Sequence, residues 1–522
     1  MNFLNRAVKN ITRVKSRSLL LMITFFILGN LVIVGLGVSQ AVADAKSETR
    51  KSMRAVVRYD INYDAVYAYV DSLETEEERN EFYNKNFPTI DRKKVSELVD
   101  QDDRIIAVNY LMSTMIYADG FKPVVLENEN TNNGGGGTIV YNDGTEVEWK
   151  APDLMLKGNL FPNMIEFVEG SYEITEGRMY TQEEIDAYAQ VALVEQGLAE
   201  LNGLKVGDYI TVKFMHESEL SYYGNYITVE DITMELEIIG IYDNKQTLNP
   251  NDPDYDWMPS YYAPENAILA PTTTYVKVAV EAQKKMIDYY RAQYPGEDWV
   301  NQEITEDSYY SGSVIILLDD PLEVENYISD NQDAIGEFYL FDADLDNFNR
   351  IARPLDAMAR FADILVGIIV VNALVIITLI TALTLKNREY EIGVLLAMGV
   401  TKVKVIAQMF IELVVVGVLG FTLAIGSGAL VSGVIGDWML EAQLSTELEE
   451  EVGYDYGYYW GETDYFTDVT ADEMFSKYHV SVKPMTIVLI YAGGLGIIFL
   501  SVLIPGLMVM RYNPKQILTN VR

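Results

Sequence analysis

The chain has 522 residues, no cysteine and two histidines, and its 77 acidic residues against 39 basic ones give a formal net charge of −38. Without cysteine it has no disulfide framework, no thiolate nucleophile and no cysteine-built metal site, and two histidines far apart in sequence offer little material for histidine-based catalysis. The acidity also disfavours nucleic acid as a partner, because such a protein would repel phosphates.

Four long uncharged stretches divide the chain, at residues 18–43, 364–385, 413–436 and 484–510. Crossing ~30 Å of hydrocarbon at ~1.5 Å per residue takes about 20 residues, so each stretch is long enough to form a transmembrane helix. A cleaved signal peptide is the alternative for the first stretch, which follows a basic start. Its length favours a retained helix.

The segment between the first two stretches, residues 44–355, is predicted to form one large α+β domain. Its two ends carry similar strand and helix patterns and are expected to build one lobe beside the membrane, from about 44–120 and 306–350. The middle, about 121–305, is expected to be an inserted, strand-rich lobe. Its predicted strands are 190–195, 209–214 and 234–242, and a capping box at Thr181 predicts a short helix.

Three acidic or aromatic segments of this exterior have open interpretations. Residues 342–347 resemble the start of a calcium loop, but Arg353 stands where the closing glutamate is required, which excludes an EF-hand. Residues 249–260 could hold calcium, although a solvated loop is favoured. The aromatic residues of the loop 437–483 either form a binding platform or pack on the large domain; they are Tyr454, Tyr456, Tyr458, Tyr459, Trp460 and Tyr465.

The distribution of basic residues predicts the orientation in the membrane. Residues 1–17 hold five basic residues and no acid, whereas 437–483 hold twelve acids and two lysines. Because basic loops stay on the cytoplasmic side, both termini and the loop 386–404 are expected inside. The predicted segments are the N-terminus 1–17, helix one 18–43, the extracytoplasmic domain 44–355, stalk and helix two 356–385, the coupling loop 386–404, helix three 405–436, the second outer loop 437–483, helix four 484–510 and the tail 511–522.

The third helix carries two further signals. Glu412 is a charged residue near its start, where it either orders the helix bundle or extends its carboxylate to the membrane surface. A small residue recurs every four positions, which favours close helix packing; the stripe is Ala424, Gly428, Ser432 and Gly436. The sequence leaves open whether this stripe packs within one chain or between two.

The loop after helix two is the most specific motif, because residues 388–399 read R-E-Y-E-I-G-V-L-L-A-M-G. This run resembles the R-x-x-E-I-G-x-x-x-A-x-G signature of the FtsX/MacB-like permeases of ABC transporters. Looser landmarks in the outer domain, at 177–178, 192–194, 204–208 and 238–241, are similar to MacB-type ectodomains. On its own, the loop is equally compatible with an ordinary interfacial helix.

The resemblance implies a four-helix membrane protein with a MacB-like, two-lobed α+β extracytoplasmic domain. It implies that the loop couples to a cytoplasmic ABC ATPase through Arg388, Glu391, Ile392, Gly393, Leu395, Leu396, Ala397 and Gly399. ATP and magnesium would then bind the partner ATPase, since the chain has no G-x-x-x-x-G-K-S/T motif for a P-loop. A second permease copy, or a homologous permease, is the other implied partner.

The function expected from this resemblance is export of a peptide or amphipathic compound by transmission of movement to the outer domain. The acidic exterior favours a cationic or amphipathic peptide, and its lack of cysteine suits the plasma membrane of a Gram-positive bacterium. The alternatives are a membrane sensor in resistance signalling and a regulator of cell-wall hydrolases. A hydrolase is least favoured, because neither a catalytic triad nor a carboxylate pair can be placed.

Overall fold

The structure is a computed structural model. It describes residues 15–126, 137–140, 144–149, 151–214, 232–246, 258–301, 304–306, 310, 314–343, 345–447, 465–466 and 469–511. Most of the basic N-terminus, the C-terminal tail and the aromatic residues 454–460 therefore lie outside the described residues, as do residues 249–257 of the candidate calcium loop.

The helices, in chain order, are α1 (Lys15–Ser52), α2 (Tyr63–Ser72), α3 (Glu76–Glu81), α4 (Arg92–Gln101), α5 (Ile165–Glu169), α6 (Gln182–Asp186), α7 (Gln196–Asn202), α8 (Thr272–Gln293), α9 (Val324–Ile335), α10 (Leu345–Asn387), α11 (Glu389–Ala397), α12 (Lys402–Glu447), α13 (Ala471–Ser476) and α14 (Pro484–Arg511). The strands are β1 (Val56–Ile61), β2 (Ile105–Asn109), β3 (Leu111–Ile116), β4 (Gly137–Val140), β5 (Glu146–Trp149), β6 (Leu154–Asn159), β7 (Tyr172–Gly177), β8 (Val191–Glu195), β9 (Tyr209–Phe214), β10 (Ile232–Asn244), β11 (Ala267–Pro271), β12 (Val314–Leu318) and β13 (Tyr339–Asp342).

The first structural unit contains the membrane helices. Among the described residues, four helices are long and apolar enough to cross a membrane, namely α1, α10, α12 and α14. They share an apolar core that includes Phe25, Ile33, Ile377 and Phe421. The predicted fold class, a four-helix membrane protein with an α+β extracytoplasmic domain, is confirmed.

Three of these helices extend well beyond the predicted segments. Helix α12 continues to Glu447, eleven residues past its predicted end at 436. Helix α1 continues to Ser52, nine residues past the predicted end, and α10 begins at Leu345 instead of near 356. The added turns carry charged residues, and one of their contacts is an ion pair between Lys46 Nζ and Asp356 Oδ1 at 3.0 Å. An apolar run marks only the part of a helix that lies in hydrocarbon, so it does not locate the end of the helix.

The small-residue stripe of α12 makes close contacts within the chain. Ala424 and Ser432 are fully buried, and a Cβ atom added to Gly428 would lie 2.8 Å from Ile33 Cδ1 of α1. At Gly436 an added Cβ would collide with Val480. The stripe therefore lets α1 and the segment around residue 480 approach the backbone of α12.

The second unit, Met53–Asp344 with Tyr454–Thr467, contains two main sheets. The smaller sheet has the strand order β13-β1-β12-β2 and is antiparallel throughout, with Val57 opposite Ile316. The larger sheet has the order β3-β6-β11-β8-β10-β7, and β9 pairs with one end of β10. Its two parallel pairs are β6 with β11 and β8 with β10.

The chain passes from the smaller to the larger sheet at Tyr110, ten residues before the predicted lobe boundary. Strand β2 ends at Asn109, and β3 begins at Leu111 and pairs with β6 of the larger sheet. Tyr110 is fully buried, and its hydroxyl lies 2.9 Å from the carbonyl oxygens of Ile90 and Tyr310. Sequence patterns locate strands but not their partners, so the prediction assigned β3 to the wrong lobe.

Several predicted local elements agree with the structure. Thr181 and Glu184 form both halves of the predicted capping box at the start of α6. Strand β9 has its predicted bounds, while β10 extends two residues beyond its prediction at each end. These elements depend on short-range signals, namely a cap or an apolar alternation, and such signals are readable in sequence.

Candidate functional site

The candidate site is the short helix α11 with the membrane-helix ends that support it. Helix α10 ends at Asn387, and the N–H of Arg388 still donates to the carbonyls of Thr384 and Leu385, both at 3.2 Å. The N–H of Ile392 then donates to Arg388 O at 3.0 Å, which starts α11. A single residue therefore separates the two helices, so their relative direction is set by the backbone of Arg388.

Gly399 ends α11 in a left-handed conformation. Its φ is +85°, its N–H donates to Leu396 O at 3.1 Å, and the N–H of Val400 donates to Leu395 O at 3.1 Å. These two bonds form a Schellman motif, which satisfies carbonyls that the helix end leaves unpaired. Glycine adopts positive φ without the steric cost of a Cβ, so it permits the reversal into α12.

An apolar cluster attaches α11 to the membrane helices. Ile392 is buried with Leu385 of α10, Met409 of α12 and Val509 of α14, and Leu396 packs against the same cluster. The resemblance implied that Ile392, Leu395 and Leu396 take part in coupling to an ATPase. In the structure Ile392 contacts the helices of its own chain and Leu396 packs in part against the same cluster. The coupling role of these residues stays a prediction.

An ion pair joins the start of α11 to α12. Arg388 Nη1 lies 3.2 Å from Glu412 Oε2, and the Glu412 side chain is only 8% exposed. Gln408 Nε2 donates to Glu412 Oε1 at 3.1 Å, and Arg388 Nε lies 3.2 Å from Glu391 Oε2. Arg17 of α1 is close enough to interact electrostatically with both Glu412 and Arg388.

This ion-pair network gives Glu412 a definite role. Sequence reasoning singled out Arg388 and Glu412 separately but did not pair them, because they are 24 positions apart in the chain. It also missed Gln408, although its spacing of four residues from Glu412 on one helix is a readable signal. Of the two interpretations that the sequence offered for Glu412, the structure supports ordering of the helix bundle.

The outward face of this region combines three of the predicted residues with large apolar side chains that were not predicted. Tyr390 is 57% exposed, Met398 66% and Val403 67%, and Glu391, Ala397 and Gly399 are also exposed. Gly393 is buried against the bundle. Large apolar side chains left exposed beside carboxylates at the end of a helix bundle are typical of a protein-binding surface.

The other candidate sites are resolved only in part. Among the described residues, no group of three or more histidine, aspartate and glutamate side chains could hold a metal ion. Asp342 of the suspected calcium loop pairs with Arg58 at 2.5 Å. Tyr465 of the second outer loop is buried within the outer domain, which supports packing over a binding platform at that position.

Comparison with known proteins identifies two matching families. The FtsX-like permease C-terminal model matches residues 364–514, which include α11, and the MacB-like periplasmic core domain model matches residues 32–288. A relative from Bacillus subtilis (strain 168), described as the uncharacterized ABC transporter permease YclI, is 24% identical over 439 residues, covering 83% of this chain and 80% of the relative.

One solved structure is also similar, the crystal structure of the periplasmic region of MacB from Actinobacillus actinomycetemcomitans. It is 8% identical, with a TM-score of 0.25, and the match covers 55% of this chain and 87% of that one.

Proposed function

Because the chain is an ABC transporter permease of the FtsX/MacB type, we propose that it couples ATP hydrolysis by a separate cytoplasmic ATPase to movement of its extracytoplasmic domain. In this proposal the loop 386–404 lies in the cytoplasm, and ATP and magnesium bind the ATPase. A second permease copy, or a homologous permease, completes the complex.

The observation that carries this proposal is the arrangement of α11. On its inner side Ile392 is buried among residues of α10, α12 and α14, so a displacement of α11 would be transmitted to three membrane helices. The Arg388–Glu412 ion pair adds a second, directional contact. On its outer side Tyr390, Met398 and Val403 are exposed and offer apolar contacts to a partner's groove.

Substitution of the exposed face tests ATPase engagement. Tyr390→Ala and Met398→Ala are expected to reduce co-purification of the cognate ATPase by tenfold or more together, since each removes a large exposed contact of the kind that dominates interfaces, about 1–2 kcal/mol. Leu430→Ala is the matched control, because Leu430 is also a large exposed apolar residue but lies within the membrane span of α12. Undiminished ATPase binding by the double variant would refute the assignment of this surface.

The transported compound is proposed to be a cationic or amphipathic peptide. Residues 44–363 carry a formal charge of −37 and residues 437–483 a charge of −10. A field of that sign attracts cations over roughly 8 Å at physiological salt. The full-length chain in lipid nanodiscs is expected to bind a cationic peptide more tightly than neutral or anionic peptides of equal length, and to lose that preference at high salt. Equal affinity for all three would remove the charge-selection argument.

A further inference from the structure

The outer domain is joined to the membrane helices by four chain connections. Two are the ends of the long helices, between Ser52 and Met53 and between Asp344 and Leu345. The other two belong to the loop between α12 and α14, because residues 454–467 belong to the outer-domain unit while the residues before and after them belong to the membrane unit. The contacts of residues 465–466 show how this part of the loop is attached to the outer domain.

Tyr465 is buried in a polar network of the outer domain. Its hydroxyl donates to Glu166 Oε1 at 2.6 Å and accepts a hydrogen bond from Asn109 Nδ2 at 2.8 Å. Asn109 Nδ2 also donates to Glu166 Oε2 at 2.9 Å. Burial, together with the negative charge of Glu166, raises the pKa of the Tyr465 hydroxyl well above its ordinary value, so the hydroxyl keeps the proton that it donates.

This network lies where the two sheets meet. Asn109 is the last residue of β2 in the smaller sheet, and Glu166 lies in α5, which follows β6 of the larger sheet. Asn109 Oδ1 also accepts a hydrogen bond from Ile165 N at 3.1 Å. Glu166 is 3% exposed, so removal of the tyrosine hydroxyl would leave a buried carboxylate with one donor fewer.

Two arginines that follow α1 in the sequence contact the same segment. Arg54 Nη1 donates to Tyr465 O at 2.9 Å, and its guanidinium lies 5.4 Å from the centroid of the Tyr465 ring. Arg54 also forms an ion pair with Glu169 of α5. The Arg58 guanidinium lies 5.2 Å from the Phe466 ring centroid. Residues 465–466 are therefore fixed by contacts of the Tyr465 carbonyl, the Tyr465 hydroxyl and both aromatic rings.

The chain re-enters the membrane unit immediately afterwards. Glu473 and Lys477, on and just after α13, contact Ser52 at the end of α1, with Lys477 Nζ 2.7 Å from Ser52 Oγ. Only residues 467 and 468 separate Phe466 from Val469. Three peptide steps span at most about 11 Å, so this connection is short.

We propose that Tyr465 is a positioning residue for energy coupling: it fixes its part of the second outer loop to the outer domain, so that movements of α14 reach that domain in addition to those of α1 and α10. This inference rests on the proposed function of the chain as a mechanical transducer. It assigns to the second outer loop the role of transmitting movement between the membrane helices and the outer domain.

The first measurement tests the anchor alone, by hydrogen exchange of the full-length protein in nanodiscs. Tyr465→Phe is expected to accelerate exchange of the peptide spanning 465–470 by about tenfold or more, because it removes the hydroxyl that joins this segment to Glu166 and Asn109 and leaves each of them with one hydrogen-bond partner fewer in a buried site. Tyr478→Phe is the matched control: Tyr478 lies in the same loop, and its buried hydroxyl has no hydrogen-bond partner among the described residues. Equal exchange in wild type and Tyr465→Phe would overturn the anchor.

The second measurement tests coupling. Because the chain has no cysteine, a fluorophore can be attached at Ser72→Cys, an exposed outer-domain position, in the complex with the cognate ATPase. Tyr465→Phe is expected to reduce the ATP-dependent fluorescence change severalfold while the KM for ATP stays constant, and Tyr478→Phe is expected to match wild type. Faster exchange with an undiminished ATP-dependent signal would overturn the coupling role and leave Tyr465 a structural contact. A wild-type complex without any ATP-dependent signal would refute the proposed transducer function, whatever the exchange result.

Discussion

Replacement of Glu412 by glutamine tests whether the ion pair with Arg388 holds α11 on the membrane helices. The substitution keeps the size of the side chain and removes its charge. A hydrogen bond to a charged partner contributes about 1.5–3 kcal/mol, and loss of one member of a buried pair costs more because the other charge stays buried. Arg388 is 23% exposed and keeps Glu391 as a partner, so the lower part of the range applies, about 2 kcal/mol.

The assay uses local opening of the cluster around Ile392. A single cysteine introduced at Ile392 is buried, so its reaction with a maleimide requires α11 to detach. A loss of about 2 kcal/mol is expected to accelerate this reaction roughly thirtyfold. A cysteine at Met398, which is exposed before and after opening, should react at an unchanged rate and serves as the control.

A double-mutant cycle separates the pair from its surroundings. Arg388→Gln alone should accelerate labelling to a similar degree, and the double variant should be no faster than either single variant, because each removes the same interaction. Additive effects of the two substitutions, or an unchanged rate in Glu412→Gln, would refute the reasoning that this ion pair fixes α11.

Three further predictions concern the turn, the helix packing and the topology. Gly399→Ala should lower the stability of the loop by about 1 kcal/mol, because alanine is disfavoured at the positive φ of this position and an added Cβ meets no atom within 4 Å. Gly399→Leu and Glu391→Lys are expected to uncouple ATP hydrolysis from transport at normal expression. Gly428→Ala should destabilise the helix bundle by about 1–3 kcal/mol, because the new methyl group would collide with Ile33. Gly426→Ala should leave the stability unchanged, because an added Cβ at Gly426 meets no atom within 4 Å. The melting temperatures of the two variants in detergent test this difference. Single cysteines at Asn132 and Gly457 should react with an impermeant maleimide in intact cells, and labelling of one at Lys515 would contradict the predicted orientation.

The sequence predicted the four membrane helices well because each depends on a single local property, a long absence of charge. The turn at Gly399 depends on an equally local signal, since a glycine after an apolar helical segment commonly ends the helix. These predictions need only neighbouring residues, and the conformations that such residues favour are largely independent of the rest of the fold.

The sequence could not assign contacts between distant segments. Ile392 looked like a surface residue of a short amphipathic loop, and only its contacts with Leu385 and Val509 show that its apolar side is already occupied. Tyr465 was one aromatic residue among many in an acidic loop. Its partners Asn109 and Glu166 lie roughly 300 positions or more earlier in the chain, a separation at which residue patterns carry no information on pairing.

Helix α12 is a continuous helix of 46 residues that begins three residues after Gly399 and leads into the second outer loop. At ~1.5 Å per residue it is a lever arm of about 69 Å, more than twice the ~30 Å of hydrocarbon that it crosses. A tilt of only about 5° at the Lys402 end would sweep the opposite end through ~6 Å over that length. Under the proposed coupling, a small rotation of the short helix α11 by the ATPase would therefore produce a larger displacement at the far end of α12, and the stiffness of α12 would determine how much of that displacement is transmitted.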